Sequence, residues 1–402
     1  MMTENKRQII KNTSALKLAI IIPNDFSIVW FCEVLVKELM KNNEVTVICD
    51  IHDGYEHGHY LDIIKKWGVK HKYVSFYRFF NPIKDFKYIL SLYKCLREDH
   101  FDMVMNISTK PNFYGSIAAK LARVDRIVCS VWGLGLAFSE NKSIKTRFFK
   151  FFAKQLYRFA FKVSDKVWFT NKVDHEYFVS RSIIKKSKTF LTKNYVNVRN
   201  YSAASVSREV SAQLRFELGY LETDKVVIML SRLSWAKGVR QFCEASELLR
   251  AKYPEVKFLL VGQEDLGSPD SVPSAYIASY QKQDNFSWIG FRRDVKELYS
   301  ICDLAVYPSY YREGGYPRGL TEPMAMGKPV ITTDSVHCSG AVEDGVTGIL
   351  VPIKDSRALS SAIEKIITDE SLAADFGRKS RLKAEAELSE DVIIKDLVRN
   401  II

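Results

Sequence analysis

The sequence predicts an α/β protein with two doubly wound domains in series, each built on a parallel β-sheet with helices on both faces. Three observations support this fold class. At 402 residues, the chain is longer than the size at which a single hydrophobic core stops growing. Short apolar, β-branched runs alternate with stretches of helical periodicity, which is typical of parallel strands covered on both faces. The alternation starts again after a polar segment near residue 205.

The predicted strands are the apolar runs themselves. In the first half they lie at 17–23, 44–49, 72–76, 102–107, 126–131 and 166–170. Helical stretches such as WFCEVLVKELMKN and FYGSIAAKLARV separate them. In the second half the predicted strands lie at 225–231, 256–261, 286–290, 303–309, 329–333 and 348–352.

Residues 194–215 are polar, rich in serine and poor in apolar periodicity, so we predict a linker there. This gives an N-terminal domain at 1–204 and a C-terminal domain at 205–402. The last helix, about 385–402, is a candidate to pack back on the N-terminal domain. Ligands of open α/β sheets bind outside the carboxyl ends of the strands, so two such domains facing each other would enclose a cleft.

The composition is that of a globular protein, with 47% hydrophobic and 26% charged residues. The first residues lack the basic start and long apolar run of a signal peptide, and no segment approaches the roughly 18 apolar residues of a membrane span. Seven cysteines are scattered without a CxxC pair, as is usual in a reducing compartment. We therefore expect a cytoplasmic protein.

The charge is divided unevenly between the two halves. The whole chain has a net charge of +12, and residues 1–200 hold 34 Lys and Arg against 18 Asp and Glu, which leaves the remainder mildly acidic. Such asymmetry predicts an anionic partner for the N-terminal half alone, which would be a nucleic acid, an anionic membrane or a phosphorylated substrate.

The segment REGGYPRGLTEPMAMGKPVI, residues 312–331, is the most informative stretch for function. Pro323 suits the first position of a helix, so a helix is predicted to begin at Glu322 or Pro323. Its free N–H groups would bind a phosphate, and Gly314, Gly315 and Gly319 would let the chain approach a ligand closely. Glu313 and Glu322 would accept hydrogen bonds from the hydroxyls of a nucleotide-linked sugar.

Arg232 stands at the end of the predicted strand 225–231, and Lys237 follows five residues later, before a helical stretch. Two cations on one strand-to-helix turn can neutralise a diphosphate. The same spacing would also occur for two solvated surface charges. Their position at a strand end, about two βα units before the glutamate loop, favours the diphosphate interpretation.

Four stretches carry a resemblance to a known family: SRLSWAKG, VGQEDLGSPDS, the long run from WIGFRRD to PVITTD, and VEDGVTGILVP. They resemble the C-terminal half of the family 4 glycosyltransferases, which have the GT-B fold, and the match covers about residues 225–370. MNISTKPNFYGSIAAKLARV and SVWGLGLAFS extend a weaker resemblance upstream. They are similar to the branch that extends lipid-diphosphate-linked glycans of bacterial surface polysaccharides.

The resemblance implies a role for each matching residue. Arg232 and Lys237 would hold the nucleotide diphosphate and stabilise the leaving group. Glu313 would lie against the donor sugar, and Glu322 would bind the ribose hydroxyls. The backbone amides that would touch the sugar are those of Gly314, Gly315 and Tyr316. Those that would touch the diphosphate belong to Leu320 and Thr321. The family is retaining and uses neither a metal nor a cofactor, so the nucleotide sugar would be its only small-molecule donor.

The chain departs from the family pattern in two places. Eight residues separate Glu313 from Glu322, where the family usually has seven, so the loop holds one extra residue. In the N-terminal half, MNIST lacks the histidine and PNDFS lacks the glycine pair that many relatives carry. No N-terminal catalytic histidine is therefore assigned. Asn24, Asp25 and Ser27 either face the cleft or form a capped helix start.

Two further segments are open to more than one interpretation. Residues 141–162 contain seven basic residues, seven aromatics and no acid. A helix there would place Ile144, Phe148, Phe151, Phe152, Phe159 and Val163 on one side, which would face either an anionic membrane or the sheet. The histidine-rich segment 52–60 has too weak a ligand frame to predict a metal site.

The sequence thus predicts a retaining glycosyltransferase that moves a hexose or N-acetylhexosamine from a UDP-linked donor to a lipid-diphosphate-linked glycan in O-antigen or capsule synthesis. The N-terminal domain would bind the acceptor and dock at the inner face of the cytoplasmic membrane, and the C-terminal domain would bind the nucleotide sugar. The alternatives are a nucleotide-sugar epimerase on the same fold and a nucleic-acid-binding protein, although no nucleic-acid module is recognisable. A dehydrogenase would need GxGxxG after the first strand, where the chain has IIIPNDFSIVW.

Overall fold

The computed structural model describes residues 15–51, 59–134 and 144–402. The histidine-rich residues 52–58 and the start of the basic segment, 135–143, lie outside these ranges, as do the predictions made for them. The chain forms two compact units. The first contains the described residues up to Thr192 together with Ile394–Ile402, and the second contains Lys193–Ile393. The boundary predicted at 204/205 lies inside the second unit, in the short turn Ala203–Ser205.

The first unit is built on a seven-stranded sheet in which every described strand pair is parallel. The strand order is β3-β2-β1-β4-β5-β6-β7. The strands are β1 (Lys17–Asn24), β2 (Glu44–Asp50), β3 (Lys70–Tyr73), β4 (Met103–Ile107), β5 (Arg126–Val131), β6 (Lys166–Phe169) and β7 (Thr189–Leu191). The helices between them are α1 (Asp25–Met40), α2 (His59–Lys66), α3 (Pro82–Asp99), α4 (Ser116–Leu121), α5 (Ile144–Val163) and α6 (Lys172–Ser180).

The second unit is built on a six-stranded parallel sheet in the order β10-β9-β8-β11-β12-β13. Its strands are β8 (Lys225–Leu230), β9 (Val256–Val261), β10 (Phe286–Trp288), β11 (Leu304–Tyr307), β12 (Val330–Thr333) and β13 (Gly348–Val351). Its helices are α7 (Arg208–Glu217), α8 (Val239–Arg250), α9 (Ser274–Tyr280), α10 (Val295–Ile301), α11 (Arg318–Ala325), α12 (Ser356–Ile367) and α13 (Glu370–Lys383). A last helix, α14 (Glu390–Ile401), runs into the residues that belong to the first unit.

The residues of α14 that belong to the first unit are tied to its sheet. The Arg126 guanidinium, at the start of β5, donates to the backbone carbonyls of Ile401 and Ile402 at 3.0 and 2.9 Å. Leu397 and Ile401 are fully buried. The first unit is therefore assembled from two separate parts of the chain.

The predicted fold class is confirmed, with two differences in detail. Strand β7 was missed because its three residues are too few to show a pattern. The segment predicted to be a linker contains helix α7, which begins after Ser207 because the Ser207 side chain accepts a hydrogen bond from the Val210 amide at 3.3 Å. Only Leu214 of α7 is fully buried, so its apolar periodicity is weak.

Helix α5 buries a different side from the one that its aromatic residues suggest. The buried side carries Ala153, Tyr157, Ala160 and Phe161, which belong to the core of the first unit. Phe151, Phe152 and Phe159 are between 41% and 56% exposed. The alternative in which these phenylalanines pack on the sheet is therefore wrong, because the small side chains at 153 and 160 let Tyr157 and Phe161 fill the core instead.

The strand order of each sheet reverses direction at one point. In the first unit the order runs outward on both sides from the β1/β4 pair, and in the second unit from the β8/β11 pair. At such a point the loops after the two neighbouring strands leave in opposite directions and open a crevice, in which ligands of this fold class bind. In the second unit, the loops after β8 and β11 contain Arg232, Lys237 and Glu313.

Candidate functional site

The loops after β8 and β11 pack closely against each other, and glycine makes this possible. Gly238 adopts φ +84°, and a Cβ atom there would lie 2.2 Å from the carbonyl oxygen of Pro308. The Tyr310 amide donates to the carbonyl of Ala236 at 2.8 Å. A larger residue at 238 would force the two loops apart, so this glycine sets the distance between the charged groups that they carry.

Lys237 and Glu313 form a buried ion pair at the centre of the site. The Lys237 Nζ atom lies 2.6 and 2.8 Å from the two carboxylate oxygens of Glu313, and each residue is 7% exposed. The same Nζ atom donates to the Tyr307 hydroxyl at 2.8 Å. The structure therefore brings together two residues that are 76 positions apart and that the sequence analysis assigned to different parts of the donor.

Two hydroxyl groups complete the environment of Glu313. Tyr307 and Ser309 donate to its Oε1 atom at 3.1 and 2.8 Å. Burial and the neighbouring Glu313 carboxylate hold the pKa of Tyr307 well above its usual value, so the phenol keeps its proton and remains a donor. The carboxylate thus has a cation and two hydroxyl donors around it, which fixes its orientation.

Arg232 lies beside this cluster and keeps part of its side chain in solvent. Its Nη1 atom donates to Asp265 at 2.6 Å, and the Arg232 side chain is 43% exposed. The Lys237 Nζ atom lies 4.7 Å from the centroid of the Tyr311 ring. A partly exposed guanidinium with five donors can bind an anion without first breaking its pair with Asp265.

The predicted start of the helix in the glutamate segment is wrong. Helix α11 begins at Arg318 with Pro317 as its N-cap, so Glu322 is its fifth residue and Pro323 lies inside it. A proline at this position cannot donate the i→i−4 hydrogen bond of the helix. The amides of Leu320 and Thr321 donate to the Pro317 carbonyl at 2.9 and 3.1 Å.

Glu322 is consequently buried, and it does not stand at the helix mouth. It is 2% exposed, and the Nε atom of Arg318, one turn earlier, donates to its Oε1 at 2.5 Å. Burial raises the pKa of Glu322 above its usual value, and the Arg318 charge only partly opposes this. Arg318 also donates to the Tyr201 hydroxyl at 3.4 Å.

The glycines of this segment make room for protein atoms. A Cβ atom on Gly315, which adopts φ +142°, would lie 2.5 Å from Asn194 Oδ1, and Asn194 donates to the Tyr316 carbonyl at 3.1 Å. A Cβ atom on Gly319 would lie 2.7 Å from the Tyr307 ring. Gly319 thereby seats the first turn of α11 against the strand end that carries the Glu313 cluster.

The carboxyl end of β1 in the first unit has a structural explanation. Asn24 caps helix α1, and its Oδ1 atom accepts hydrogen bonds from the Ser27 amide at 3.0 Å and the Ser27 hydroxyl at 2.7 Å. Asp25 is buried, and its Oδ1 accepts from the Phe26 amide at 2.8 Å. The interpretation as a capped helix start is confirmed.

Neither a metal cluster nor a membrane-spanning helix occurs in the described part of the chain. Within residues 15–51, 59–134 and 144–402, no group of three His, Cys, Asp or Glu side chains is placed to hold a metal ion. In the same ranges no helix is long and apolar enough to cross a membrane. All seven cysteines are buried and none forms a disulfide.

Comparison with known proteins identifies the family. The family model described as glycosyl transferases group 1 matches residues 210–383, and the model described as glycosyl transferase 4-like matches residues 21–171. The chain is a glycosyltransferase, with one glycosyltransferase family model matching each half. The predicted family and enzyme class are confirmed, and the alternatives of an epimerase and a nucleic-acid-binding protein gain no support.

Two curated relatives resemble this glycosyltransferase over most of their length. The N,N'-diacetylbacillosaminyl-diphospho-undecaprenol alpha-1,3-N-acetylgalactosaminyltransferase of Campylobacter jejuni is 27% identical, with 78% of this chain and 80% of the relative covered. The UDP-Gal:alpha-D-GlcNAc-diphosphoundecaprenol alpha-1,3-galactosyltransferase of Escherichia coli is 25% identical, with 72% of each chain covered.

A solved structure supports the fold of the glycosyltransferase. Anabaena Alr3699/HepE, determined in complex with UDP, superimposes with a TM-score of 0.74 at 19% identity, and the match covers 96% of this chain and 99% of the other. The predicted GT-B fold is confirmed.

Sequence reasoning missed several residues that shape the site of the glycosyltransferase. Tyr307 and Ser309 stand at the end of β11, where alternate side chains emerge from the strand, so their position after DLAVYPS was a usable signal. Arg318 lies four residues before Glu322, and this spacing becomes visible once the helix is extended to 318. Asp265 and Asn194 had no local signal, because each acts on a residue far away in the sequence.

Proposed function

We propose that the enzyme transfers a hexose or N-acetylhexosamine from a UDP-linked donor to a glycan carried on a lipid diphosphate, with retention at the anomeric carbon. The observation that carries this proposal is the cluster of Lys237, Glu313 and Arg232 at the β8/β11 crevice. The names of the two relatives support the acceptor class, since both refer to sugars on undecaprenyl diphosphate. The UDP complex of the structural neighbour supports the choice of nucleotide.

Arg232 and Lys237 are proposed to bind the donor diphosphate and to stabilise the charge that develops on it as the sugar leaves. Transition-state charge is best stabilised by groups that are already oriented before the reaction. Lys237 meets this condition because its Nζ atom donates three hydrogen bonds, two to Glu313 and one to Tyr307. Arg232, which is more exposed, supplies a planar fork for phosphate oxygens.

Glu313 is proposed to have two roles, to hold Lys237 and to lie against the donor sugar. Its Oε1 atom already accepts from two hydroxyls, whereas for Oε2 the structure gives only the contact with Lys237. A carboxylate oxygen accepts more than one hydrogen bond, so Oε2 has capacity for a sugar hydroxyl. The extra residue of the loop lies beyond Glu313, and the position of Glu313 is fixed from its other side by Tyr307 and Ser309.

Glu322 is proposed to accept hydrogen bonds from the ribose hydroxyls, with Arg318 as the residue that positions it. The backbone amides proposed to touch the sugar are those of Gly314, Gly315 and Tyr316, and the diphosphate is proposed to lie near Leu320 and Thr321. The amides of the last two residues already donate to Pro317. The partial positive charge at the start of α11 therefore supports the phosphate more strongly than these two amides do. Neither a metal nor a cofactor enters this scheme.

We place the reaction at the inner face of the cytoplasmic membrane, in the synthesis of an O-antigen or capsule. The acceptor would bind the first unit, whose excess of basic residues suits both an acceptor diphosphate and an anionic lipid surface. This location also agrees with the names of the relatives, whose acceptors carry a polyprenyl chain.

The test has two parts. First, UDP-, GDP- and ADP-sugars are screened for protection against thermal unfolding, and UDP-sugars are expected to raise the midpoint because only a ligand of the native state does so. Second, the best donor is incubated with lipid-diphosphate-linked sugars, and the anomeric configuration of the product is read by NMR. Failure to transfer to any diphosphate-linked acceptor would contradict the proposed acceptor, and an inverted product would contradict retention.

Site variants complete this test. Arg232→Ala and Lys237→Ala are expected to lower kcat by about 100-fold or more each, as for the loss of other charge-stabilising groups. The matched control is Arg250→Ala, which removes an exposed arginine at the end of α8 that pairs with Asp284. Unchanged turnover in both site variants would refute the assignment.

A further inference from the structure

Helix α3 of the first unit presents an apolar face that is not used in packing. Ile83, Phe86 and Leu90 are 71%, 61% and 42% exposed, and they stand at i, i+3 and i+7, which places them on one side of the helix. The opposite side carries Tyr88, Leu92 and Leu96, which are buried in the core of the first unit. The exposed apolar residues are therefore additional to what the fold requires.

The loop before α3 extends this face. Tyr77, Phe79 and Phe80 are between 40% and 63% exposed, and the rings of Tyr77 and Phe79 are 6.2 Å apart. Contiguous apolar area of this kind on a protein surface usually marks a site of interaction. We call the exposed side chains at 77–94 the apolar-basic surface.

The charges of this surface are all positive. Arg78, Lys84, Lys87 and Lys94 are interleaved with the apolar residues and are exposed. The single acid between 77 and 94, Asp85, is buried, where Lys110 pairs with it at 2.5 Å and the Tyr114 hydroxyl donates to it at 3.0 Å. Neutralising the acid below the surface leaves only cations facing outward.

The surface lies at the functional edge of the first sheet. Helices in a parallel α/β sheet run opposite to the strands, so the start of α3 lies near the carboxyl ends of the strands, where ligands of this fold class bind. Exposed Phe151 and Phe152, in the third turn of α5 and so in its first half, lie toward the same edge, because α3, α4 and α5 pack side by side on one face of the sheet.

We propose that the apolar-basic surface docks on an anionic lipid bilayer, with Phe79, Ile83, Phe86 and Leu90 in the headgroup region and the lysines on anionic headgroups. A helix with an apolar stripe flanked by Lys or Arg binds in the plane of a membrane interface in this way. The inference rests on the proposed function, because an acceptor held on a polyprenyl chain requires the enzyme to work at a bilayer.

The charge pattern argues against a second copy of the chain as the occupant. In a symmetric dimer the same patch meets itself, so each lysine would face a like charge. The surface contains no exposed acid between 77 and 94 that would relieve this repulsion. An anionic lipid surface complements the pattern directly.

The first measurement is co-sedimentation of the full chain with vesicles of phosphatidylglycerol and phosphatidylethanolamine, and with vesicles of phosphatidylcholine alone. The wild type is expected to sediment with the anionic vesicles and much less with the neutral ones. The Ile83→Ser/Phe86→Ser variant is expected to lower the partition coefficient by about tenfold or more. Lys84→Glu/Lys87→Glu, a second variant of exposed residues only, is expected to do the same at low salt and to lose its effect at high salt.

The matched control is Phe216→Ser/Leu221→Ser, which removes two exposed apolar side chains from the second unit and is expected to sediment like the wild type. Far-UV circular dichroism and the unfolding midpoint of each variant verify the fold. Wild-type binding by both variants, or no sedimentation of the wild type, would overturn the proposal. So would a dimer that either variant dissociates without any vesicle binding.

A transfer assay separates this inference from the proposed function. With a water-soluble, short-chain lipid diphosphate acceptor, the variants are expected to turn over like the wild type, and with a polyprenyl acceptor in vesicles they are expected to be slower by about the loss in partitioning. Normal vesicle docking with no transfer to either acceptor would refute the proposed function alone. Transfer to both acceptors at wild-type rates by both variants would refute the docking surface alone.

Discussion

Replacing both partners of the Lys237–Glu313 pair is expected to destabilise the second unit by less than the sum of the losses caused by the two single replacements. Lys237→Met leaves the buried Glu313 carboxylate with only the Tyr307 and Ser309 hydroxyls, and Glu313→Gln places an amide N–H₂ group against the ammonium. Removal of one partner of a buried ion pair costs about 3–5 kcal/mol. Because each residue keeps 7% of its surface in solvent, we take the lower end, about 3 kcal/mol for each single variant.

The double variant contains no unpaired charge at this position. The double variant is expected to lose less unfolding free energy than the two single variants lose together, by about 2 kcal/mol. Coupling of this size is within the range measured for residues in direct contact. The assay is urea unfolding of the wild type, both single variants and the double variant, followed by circular dichroism. Additivity within about 0.5 kcal/mol would show that the two charges do not depend on each other and would refute the reasoning.

Two other predictions concern the same region. Gly238→Ala should lower the free energy of unfolding by about 2 kcal/mol or more. The new Cβ atom would clash with the Pro308 carbonyl, and the alanine would have to adopt a positive φ. Gly219→Ala, at φ +74° with open space around the Cβ, should cost only about 1 kcal/mol in the same urea measurement, and equal losses would contradict the steric argument. The pKa of Glu322 is raised, so the native state binds the carboxyl proton more tightly than the unfolded chain does. The protonated carboxyl therefore contributes its full stabilisation below the unfolded pKa of about 4.3. This stabilisation is lost as the pH rises through the native pKa. The free energy of unfolding of the wild type minus that of Glu322→Gln should therefore fall as pH rises above about 4.3, and a difference that stays constant or increases would show that the carboxyl pKa is not raised.

The strands could be read from the sequence because each is a short, nearly continuous apolar run. The strands predicted at 17–23 and 225–231 correspond to β1 and β8, and each differs from the observed strand by one residue at its end. β7 could not be predicted, because three residues are too few to show a periodicity. The start of α11 was misplaced because Pro323 imitates a first helical residue, and only the carbonyl of Pro317, with two amides bonded to it, reveals the true start.

The sequence predicted which residues form the site, but it did not predict the contacts between their side chains. Arg232, Lys237 and Glu313 were identified by residue type and by position at strand ends. That Lys237 and Glu313 bind each other follows from the adjacency of β8 and β11, which depends on strand order across the whole sheet. The buried pair of Arg318 and Glu322 needed the corrected helix start, because only then do the two residues lie one turn apart.

The two-part construction of the first unit has a consequence for how the chain is made. The residues up to Thr192 leave the ribosome early, yet Ile394–Ile402 emerge only after about two hundred residues of the second unit have been synthesised. The hydrogen bonds of the Arg126 side chain with the carbonyls of Ile401 and Ile402 can therefore form only after the intervening unit has been synthesised. The second unit is one continuous segment, whereas the first unit is complete only once Ile394–Ile402 have joined the residues up to Thr192. Any fragment ending near Thr192 would lack these partners of Arg126.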